Sequence, residues 1–333
     1  MSDDMRVAVV REPGGPEVLR LERRPIPMPD ADQVLIRVEA FGINRSEMFT
    51  RQGHSPGVVF PRVLGIEAVG TVTAAPGGQF IPGEKVATVM GGMGRAFDGG
   101  YADYVCVPAV QVRGFTSDLP WHVLGALPEM LQTAWGALFR ALRLQEGERL
   151  LIRGGTTSVG LAAAAIAKAH GAIVGATSRH AASEEIVRGN GADQFFLDTG
   201  EIAATVRQRW PNGADKVLEL VGTNTLADSL ASTCAPGVVC MAGMVGDRWS
   251  LADFAPMDVI PTAVSLTTYS GGVEDFHAMP FQDLIDKAAE GSLPVRIGRV
   301  FPLDRIIDAH RLMENNAAAG KIVVVTGQTG DTH

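Results

Sequence analysis

Hydrophobic and polar positions along the chain follow two rhythms. Up to about residue 120 the period is two. Val34, Ile36, Val38 and Ala40 alternate with Leu35, Arg37 and Glu39, as in a strand whose faces meet different surroundings. Further short strands are expected at 6–10, 19–24, 67–74, 85–89 and 101–108. Pro76-Gly77-Gly78 and Pro82-Gly83 supply turns between them, and Pro25, Pro27 and Pro29 make an extended connector. Many short strands with Gly/Pro punctuation predict a partly open β-barrel.

From about Trp121 the period lengthens. Helices are expected at 127–142, 201–210, 224–232, 281–290 and 303–314, with strands at 194–197, 217–221, 238–242 and 322–325. Strand and helix in alternation predict an α/β region, a doubly wound parallel sheet with helices on both faces.

One stretch, 148–179, carries the clearest candidate chemistry. Leu150 to Ile152 is a short apolar strand. The turn Gly154-Gly155-Thr156-Thr157-Ser158-Val159-Gly160 follows, then an Ala-rich helix ending near His170 at Gly171, then a strand at 173–177. Glycines here make the tight turn, let backbone approach a pyrophosphate and let the helix pack close to the sheet. The helix N-terminus offers free N–H groups to the phosphate. Read as G-x-x-G-x-x-G, the middle position is Thr157 rather than Gly. The other reading is a structural turn in an unrelated doubly wound domain. At the second strand's end, no Asp or Glu stands ready for a ribose 2′-hydroxyl. Ser178 and Arg179 suit a 2′-phosphate instead, so the expected cofactor is NADPH. As the alternative, Arg179 is a solvated surface charge.

Composition narrows the function classes. With 333 residues there is room for two ordinary domains, and a net charge of -8 argues against a nucleic-acid partner held through phosphates. The first ten residues lack a signal-peptide pattern, and Lys168 interrupts the longest apolar helix, so neither export nor membrane insertion is expected. Cys106, Cys234 and Cys240 are too few and scattered for a disulfide framework. The expectation is a cytoplasmic enzyme.

The motifs LGIEAVGTV (64–72), PGEKVA (82–87), GGYADYVCVP (99–108), LPEMLQTAWGAL (127–138) and GKIVV (320–324), in this order around the Gly-rich unit, resemble the medium-chain dehydrogenase/reductase superfamily. The resemblance implies a GroES-like catalytic domain over 1–122, a Rossmann domain over 123–265 and a return segment over 266–333. Zinc alcohol dehydrogenases place a Cys where this chain has Asn44 and a His where it has Ile66. Residues 75–100 contain no Cys for a structural zinc. Zinc needs N or S ligands, so no metal is expected, and Glu67 remains as a buried hydrogen-bond partner. The Asn44 form resembles the zinc-free quinone oxidoreductases, a zeta-crystallin-like group, and related enone or enoyl reductases. Without a Lewis acid, a conjugated acceptor is easier to reduce than an isolated ketone, because charge delocalises onto a distant oxygen.

Residue roles follow from that resemblance. Asn44 is expected to donate a hydrogen bond near the nicotinamide ribose or a substrate carbonyl, or else to cap the short helix after it. Thr133 is expected by the nicotinamide, or else as a helix-interior Thr. Related enoyl reductases often carry a Tyr in a G-x-Y stretch after the Asn, where this chain has Gly53-His54-Ser55. His54 is either a proton donor or a surface-loop residue, with solvent as the other proton source. Arg95 is a candidate clamp for a substrate oxygen, or a solvent-facing charge. Met93, Met130 and Trp135 are candidate apolar pocket walls, as are Met90, Phe97 and Met244. Gly222, Gly243, Met244, Val245 and Lys321 are expected at the cofactor. The expected substrate is a small, apolar, conjugated molecule, and the expected assembly a homodimer through edge strands near 238–270. The alternatives are an enoyl-thioester or natural-product double-bond reductase, and a non-catalytic NADPH-binding protein.

Overall fold

The computed structural model describes residues 4–318 and 320–327. They form two compact units. One is built from the described residues of 1–129, 272–289 and 295–333, the other from 130–271 and 290–294. The chain leaves the first unit after 129 and returns after 271, whereas the sequence expectation put these passages after 122 and 265.

In the first unit the alternating stretch becomes the strand Gln33–Ile43, which is the hub of a sheet. It pairs antiparallel with Glu67–Ala74, Tyr104–Pro108 and Lys321–Val325. The sheet continues through Lys85–Val89 to Val112–Gly114 on one side and to Ile297–Pro302 on the other. A second sheet joins Leu19–Pro25, Asp4–Val10 and Arg62–Val63. Val7, Val34, Ile36, Val86 and Val107 share one core at 0% exposure. Each such side chain stabilises by about 1.5–3 kcal/mol relative to exposure. The strand Lys321–Val325 decides the site: Ile322 lies opposite Ile43 and Val323 opposite Gly42, which brings Lys321 beside Asn44.

The second unit holds a six-stranded parallel sheet. Its strands are Arg149–Arg153, Ile173–Ser178, Gln194–Leu197, Ala214–Glu219, Thr233–Met241 and Val264–Thr268. Numbered by sequence within the sheet, their spatial order is 3-2-1-4-5-6, the Rossmann order. The fold class is therefore mixed α/β, a GroES-like sheet domain with a Rossmann domain.

Several elements differ from expectation for identifiable reasons. The strand expected at 217–221 is Ala214–Glu219. The N–H groups of Val221 and Gly222 turn back onto the Glu219 carboxylate, at 2.7 and 2.9 Å, instead of continuing a ladder. The helix expected at 127–142 is Pro128–Gly136 followed by a π turn, Ala137–Ala141. The change falls where the Tyr269 ring fills the space a Cβ on Gly136 would need. Strands Val264–Thr268 and Ile297–Pro302 were not expected. Both are edge strands with much exposed surface, so they lack the apolar run that marks buried strands.

Candidate functional site

The Gly-rich turn sits between strand Arg149–Arg153 and helix Ser158–Ala169. Gly154 has φ +84°, a conformation that favours glycine. A Cβ on Gly155 would lie 2.8 Å from Ala176 Cβ, and one on Gly160 would lie 2.6 Å from the Gly154 carbonyl oxygen. The middle position has its own logic. Thr157 is the helix N-cap: its hydroxyl accepts from Gly160 N at 2.9 Å and donates to Gly154 O at 2.9 Å. Thr156, Ser158 and Val159 are half-buried along the same turn. Ser178 is buried at the end of its strand, and its hydroxyl accepts from His180 N at 3.2 Å. Arg179 next to it is exposed, with no ion-pair partner among the described residues.

Two side chains missed by sequence reasoning hold this region. Arg153 is fully buried and binds both oxygens of Asp198, at 2.7 and 2.9 Å, with Asp228 at 2.5 Å. Burial is the largest single influence and works against its charge, but hydrogen bonds and charge attraction from Asp198, Asp228 and Glu219 together outweigh it and raise the guanidinium. Glu219 accepts from Val221 N, Gly222 N, Thr225 Oγ1 and Ser229 Oγ. Beyond it, Val245 N and Gly246 N donate to Leu220 O and Val221 O, so 220–222 and 243–246 lie side by side. Gly222 and Gly243 permit that approach, since added Cβ atoms would meet Met244 at 3.3 Å and Leu220 O at 2.8 Å. In the same unit Met130 and Thr133 are buried on helix Pro128–Gly136, while Trp135 is half-buried between the Phe139 ring and Arg140.

In the first unit a polar cluster surrounds Asn44. Lys321 Nζ donates to Asn44 Oδ1 at 2.5 Å and reaches Glu67 Oε1 at 3.0 Å and Glu129 Oε2 at 3.2 Å. Asn44 Nδ2 donates to Glu67 Oε1 at 2.9 Å and only distantly to Glu47 Oε1, at 3.4 Å. Glu47 also accepts from the N–H groups of Asn44 and Ile66, both at 3.1 Å, and Glu67 Oε2 accepts from Glu129 N at 2.8 Å. Glu67 is 0% and Lys321 2% exposed. Gly42 makes room for the pair: a Cβ there would stand 2.3 Å from Lys321 Cε and 2.4 Å from Glu67 Oε1. Burial pushes the Glu47 carboxyl up to about 8, against the pull of the Ile66 N–H. Burial also raises Glu67, despite Lys321. For Lys321, burial opposes the charge, but Glu67 and Glu129 overcome it and raise the ammonium above its ordinary value.

Asn44 and Lys321 are thus brought together, and Asn44 also stands at the N-cap of helix Arg45–Arg51. Expected at the cofactor, Lys321 instead has its three ammonium protons on Asn44, Glu67 and Glu129. Met93, expected on a pocket wall, is fully buried in the apolar core, where hydrophobic burial favours it. Met90 has φ +64° at the start of the Gly/Met loop, and Phe97 packs partly buried against the core. Arg95 is exposed on that loop and donates to Ser46 Oγ at 2.5 Å. His54 is exposed, its ring edge-on to Phe49. Glu47 and Glu129 were missed. The Asn44-x-x-Glu47 spacing is a helix-start signature that could have flagged the first, whereas no local signal marks Glu129.

Comparison with known proteins agrees with this architecture. Residues 30–115 match the model for the alcohol dehydrogenase GroES-like domain, and 190–324 match the model for zinc-binding dehydrogenase. Together these matches place the chain with the medium-chain dehydrogenases/reductases, and quinone oxidoreductases are among its relatives. It is 29% identical to a quinone oxidoreductase of Pongo abelii over 332 residues, covering 96% of this chain and 98% of that protein. A structure of an NAD-dependent alcohol dehydrogenase is similar, with a TM-score of 0.87 and 27% identity, covering 97% of this chain and 100% of the other. So is a mycobacterial protein solved with NADPH, at TM-score 0.85 and 26% identity over the same shares. The fold is accordingly that of nicotinamide-dependent oxidoreductases. Among the described residues no helix is long and apolar enough to cross a membrane.

A zinc ion does not fit the donors around Asn44. The amide oxygen already faces an ammonium, Ile66 offers no ligand atom, and both Glu67 oxygens are engaged. A dication would have to sit against Lys321, and like charges at that range repel strongly in a buried setting.

Proposed function

We propose that this protein is an NADPH-dependent oxidoreductase that delivers hydride, without zinc, to a quinone or an α,β-unsaturated carbonyl. The observation that carries the reading is the Asn44 cluster, where the superfamily's metal chemistry is replaced by an amide and a buried lysine. The nicotinamide, when bound, supplies the hydride. The turn from Gly154 to Gly160 would hold its pyrophosphate with backbone N–H groups. Ser178 and Arg179 would receive the 2′-phosphate, with Arg179 free to form charge-assisted hydrogen bonds. Gly222, Gly243, Met244, Val245 and Thr133 would line the nicotinamide end. Asn44 would meet a carbonyl oxygen of the acceptor, Arg95 would face its polar end, and Met130 and Trp135 would contact its apolar body. The final proton comes from His54 or from solvent. The reading includes a cytoplasmic homodimer joined through the edge strand Val264–Thr268.

The test is NADPH oxidation by purified protein with simple quinones, enones and an enoyl thioester, with NADH and chelator controls. Quinone or enone turnover that prefers NADPH and survives chelation is expected. Preference for the thioester moves the assignment to double-bond reduction of acyl carriers. Cofactor binding without turnover on any acceptor points to the non-catalytic alternative, and activity lost on chelation sinks the zinc-free reading.

A further inference from the structure

The Asn44 amide is held with a definite polarity. Its Oδ1 faces the Lys321 ammonium at 2.5 Å, so the Nδ2 end must face the carboxyl groups. One Nδ2 proton is well used, on Glu67 at 2.9 Å. The contact to Glu47, at 3.4 Å, lies outside the usual range for a good hydrogen bond. Asn44 is 8% exposed, more than Glu47, Glu67 or Lys321. The amide therefore has one weakly held N–H, on the most exposed residue of the cluster, and a cation fixing which way it points.

We propose that Lys321 is a positioning residue: it locks the Asn44 amide so that the weakly held Nδ2–H is presented to the carbonyl oxygen of the hydride acceptor. This rests on the reductase reading above. When hydride adds to the β-carbon of a conjugated carbonyl, the C=C electron pair shifts to form an enolate oxygen. The Asn44 N–H meets that negative charge, and a proton from solvent ends on the α-carbon. Lys321 strengthens the donor by drawing electron density toward Oδ1, and it touches neither partner of the reaction. Without Lys321 the amide can turn, aiming Oδ1 at the oxyanion and Nδ2 at Glu67 and Glu129. That arrangement would repel the charge it should stabilise.

The cluster makes a clean test demanding, because removing a buried cation leaves carboxylates unpaired. Lys321→Met is therefore paired with Glu129→Gln, leaving Glu67 to take up a proton, and Lys321→Arg serves as the rescue. Two readouts are taken on full-length protein of unchanged fold. The first is the Asn44 side-chain amide signal pair in ¹⁵N NMR without any ligand. The second is kcat and KM for the acceptor, together with the Kd of NADPH. Expected are a shift and partial merging of the Asn44 pair, and a kcat lower by about 10²–10³-fold, the usual loss for one oxyanion donor. Acceptor KM should stay within about threefold and NADPH Kd should not change, with Lys321→Arg restoring kcat. An unmoved amide pair in the folded double variant overturns the proposal. So does a loss of NADPH affinity as large as the loss in kcat, which would place Lys321 at the cofactor. Should the native protein reduce no quinone or enone, the reductase reading and the carbonyl partner fall together, while the amide signals still decide whether Lys321 orients Asn44.

Discussion

In the nucleotide-binding unit, the groups offered to a ligand belong to the backbone: N–H groups on a turn of glycines, with Thr157 capping the helix behind them. The charged side chains beneath, Arg153 and Glu219, only hold that backbone still. In the sheet unit the group proposed to meet the acceptor is a side chain, Asn44. The side chains gathered around it, Glu47, Glu67, Glu129 and Lys321, are drawn from four separate places along the sequence. The first design tolerates varied neighbours as long as the glycines stay small. The second stands on a charge balance, two carboxyl groups on one buried ammonium, and is upset when one charge is removed without its counterpart. Glycine appears in both, with different meaning: Gly160 admits backbone, whereas Gly42 admits an ion pair.

The largest effect should come from Gly42→Ala. The added methyl crowds Lys321 Cε and Glu67 Oε1 inside a fully buried cluster, an overpacking cost toward the upper end of about 1–3 kcal/mol. Calorimetry of the variant measures this; a loss below about 1 kcal/mol, the level of an ordinary substitution, would show that the cluster gives way without harm. Next is Gly160→Ala, whose methyl meets the Gly154 carbonyl. Overpacking of about 1–3 kcal/mol, if it falls on the bound state, weakens NADPH by about 5- to 150-fold. Fluorescence titration should register that loss, and unchanged affinity would remove the turn from the cofactor site. The smallest effect concerns Glu47. Its carboxyl titrates near 4.5 when free and is raised to about 8 in the folded chain. The folded state thus keeps a proton that the unfolded state releases. Its stabilisation is full below about pH 4.5 and is lost as pH rises through 8. Between pH 6 and 7 the native protein should lose about 1 kcal/mol relative to Glu47→Gln, since one proton's difference is worth about 1.4 kcal/mol per pH unit. Parallel stability curves for the two would mean that Glu47 is ionised when folded and shares Lys321 with Glu67.

The same contrast explains what could be read from the chain. The turn is local: its strand, glycines and helix lie within residues 148–179, so the order of residues carried the Rossmann unit and the Gly154–Gly160 turn. The departure at Thr157 was visible, but its purpose was not, because capping is a matter of hydroxyl direction. Asn44 stood out only by resemblance. Around it, Glu67 and Lys321 arrive on paired strands, Glu47 on the helix that Asn44 caps and Glu129 on helix Pro128–Gly136, and a lysine near a strand carries no mark of where its ammonium goes. Met93 failed for the opposite reason, since a methionine in a Gly-rich loop looks the same whether it faces a cavity or the core. Glu219 was hidden because its task, catching the N–H groups of Val221 and Gly222, begins where the predicted strand was assumed to continue.

The strand that carries Lys321 also sets a clock. Asn44 and Lys321 are 277 residues apart. During synthesis at roughly 5–20 residues per second, the amide emerges roughly 14–55 s, and the last of the acids, Glu129, roughly 10–40 s, before the cation. Through that interval Glu47 and Glu67 have no ammonium to be buried against, and dehydrating them alone would be unfavourable. The nucleotide unit, nearly continuous from 130 to 271, faces no such wait. On the ribosome, the unit that grips a nucleotide can therefore mature first, while the half that presents Asn44 stays open and hydrated. A nascent chain stalled just short of residue 321 should accordingly show a protease-resistant nucleotide unit and a cleavable sheet unit.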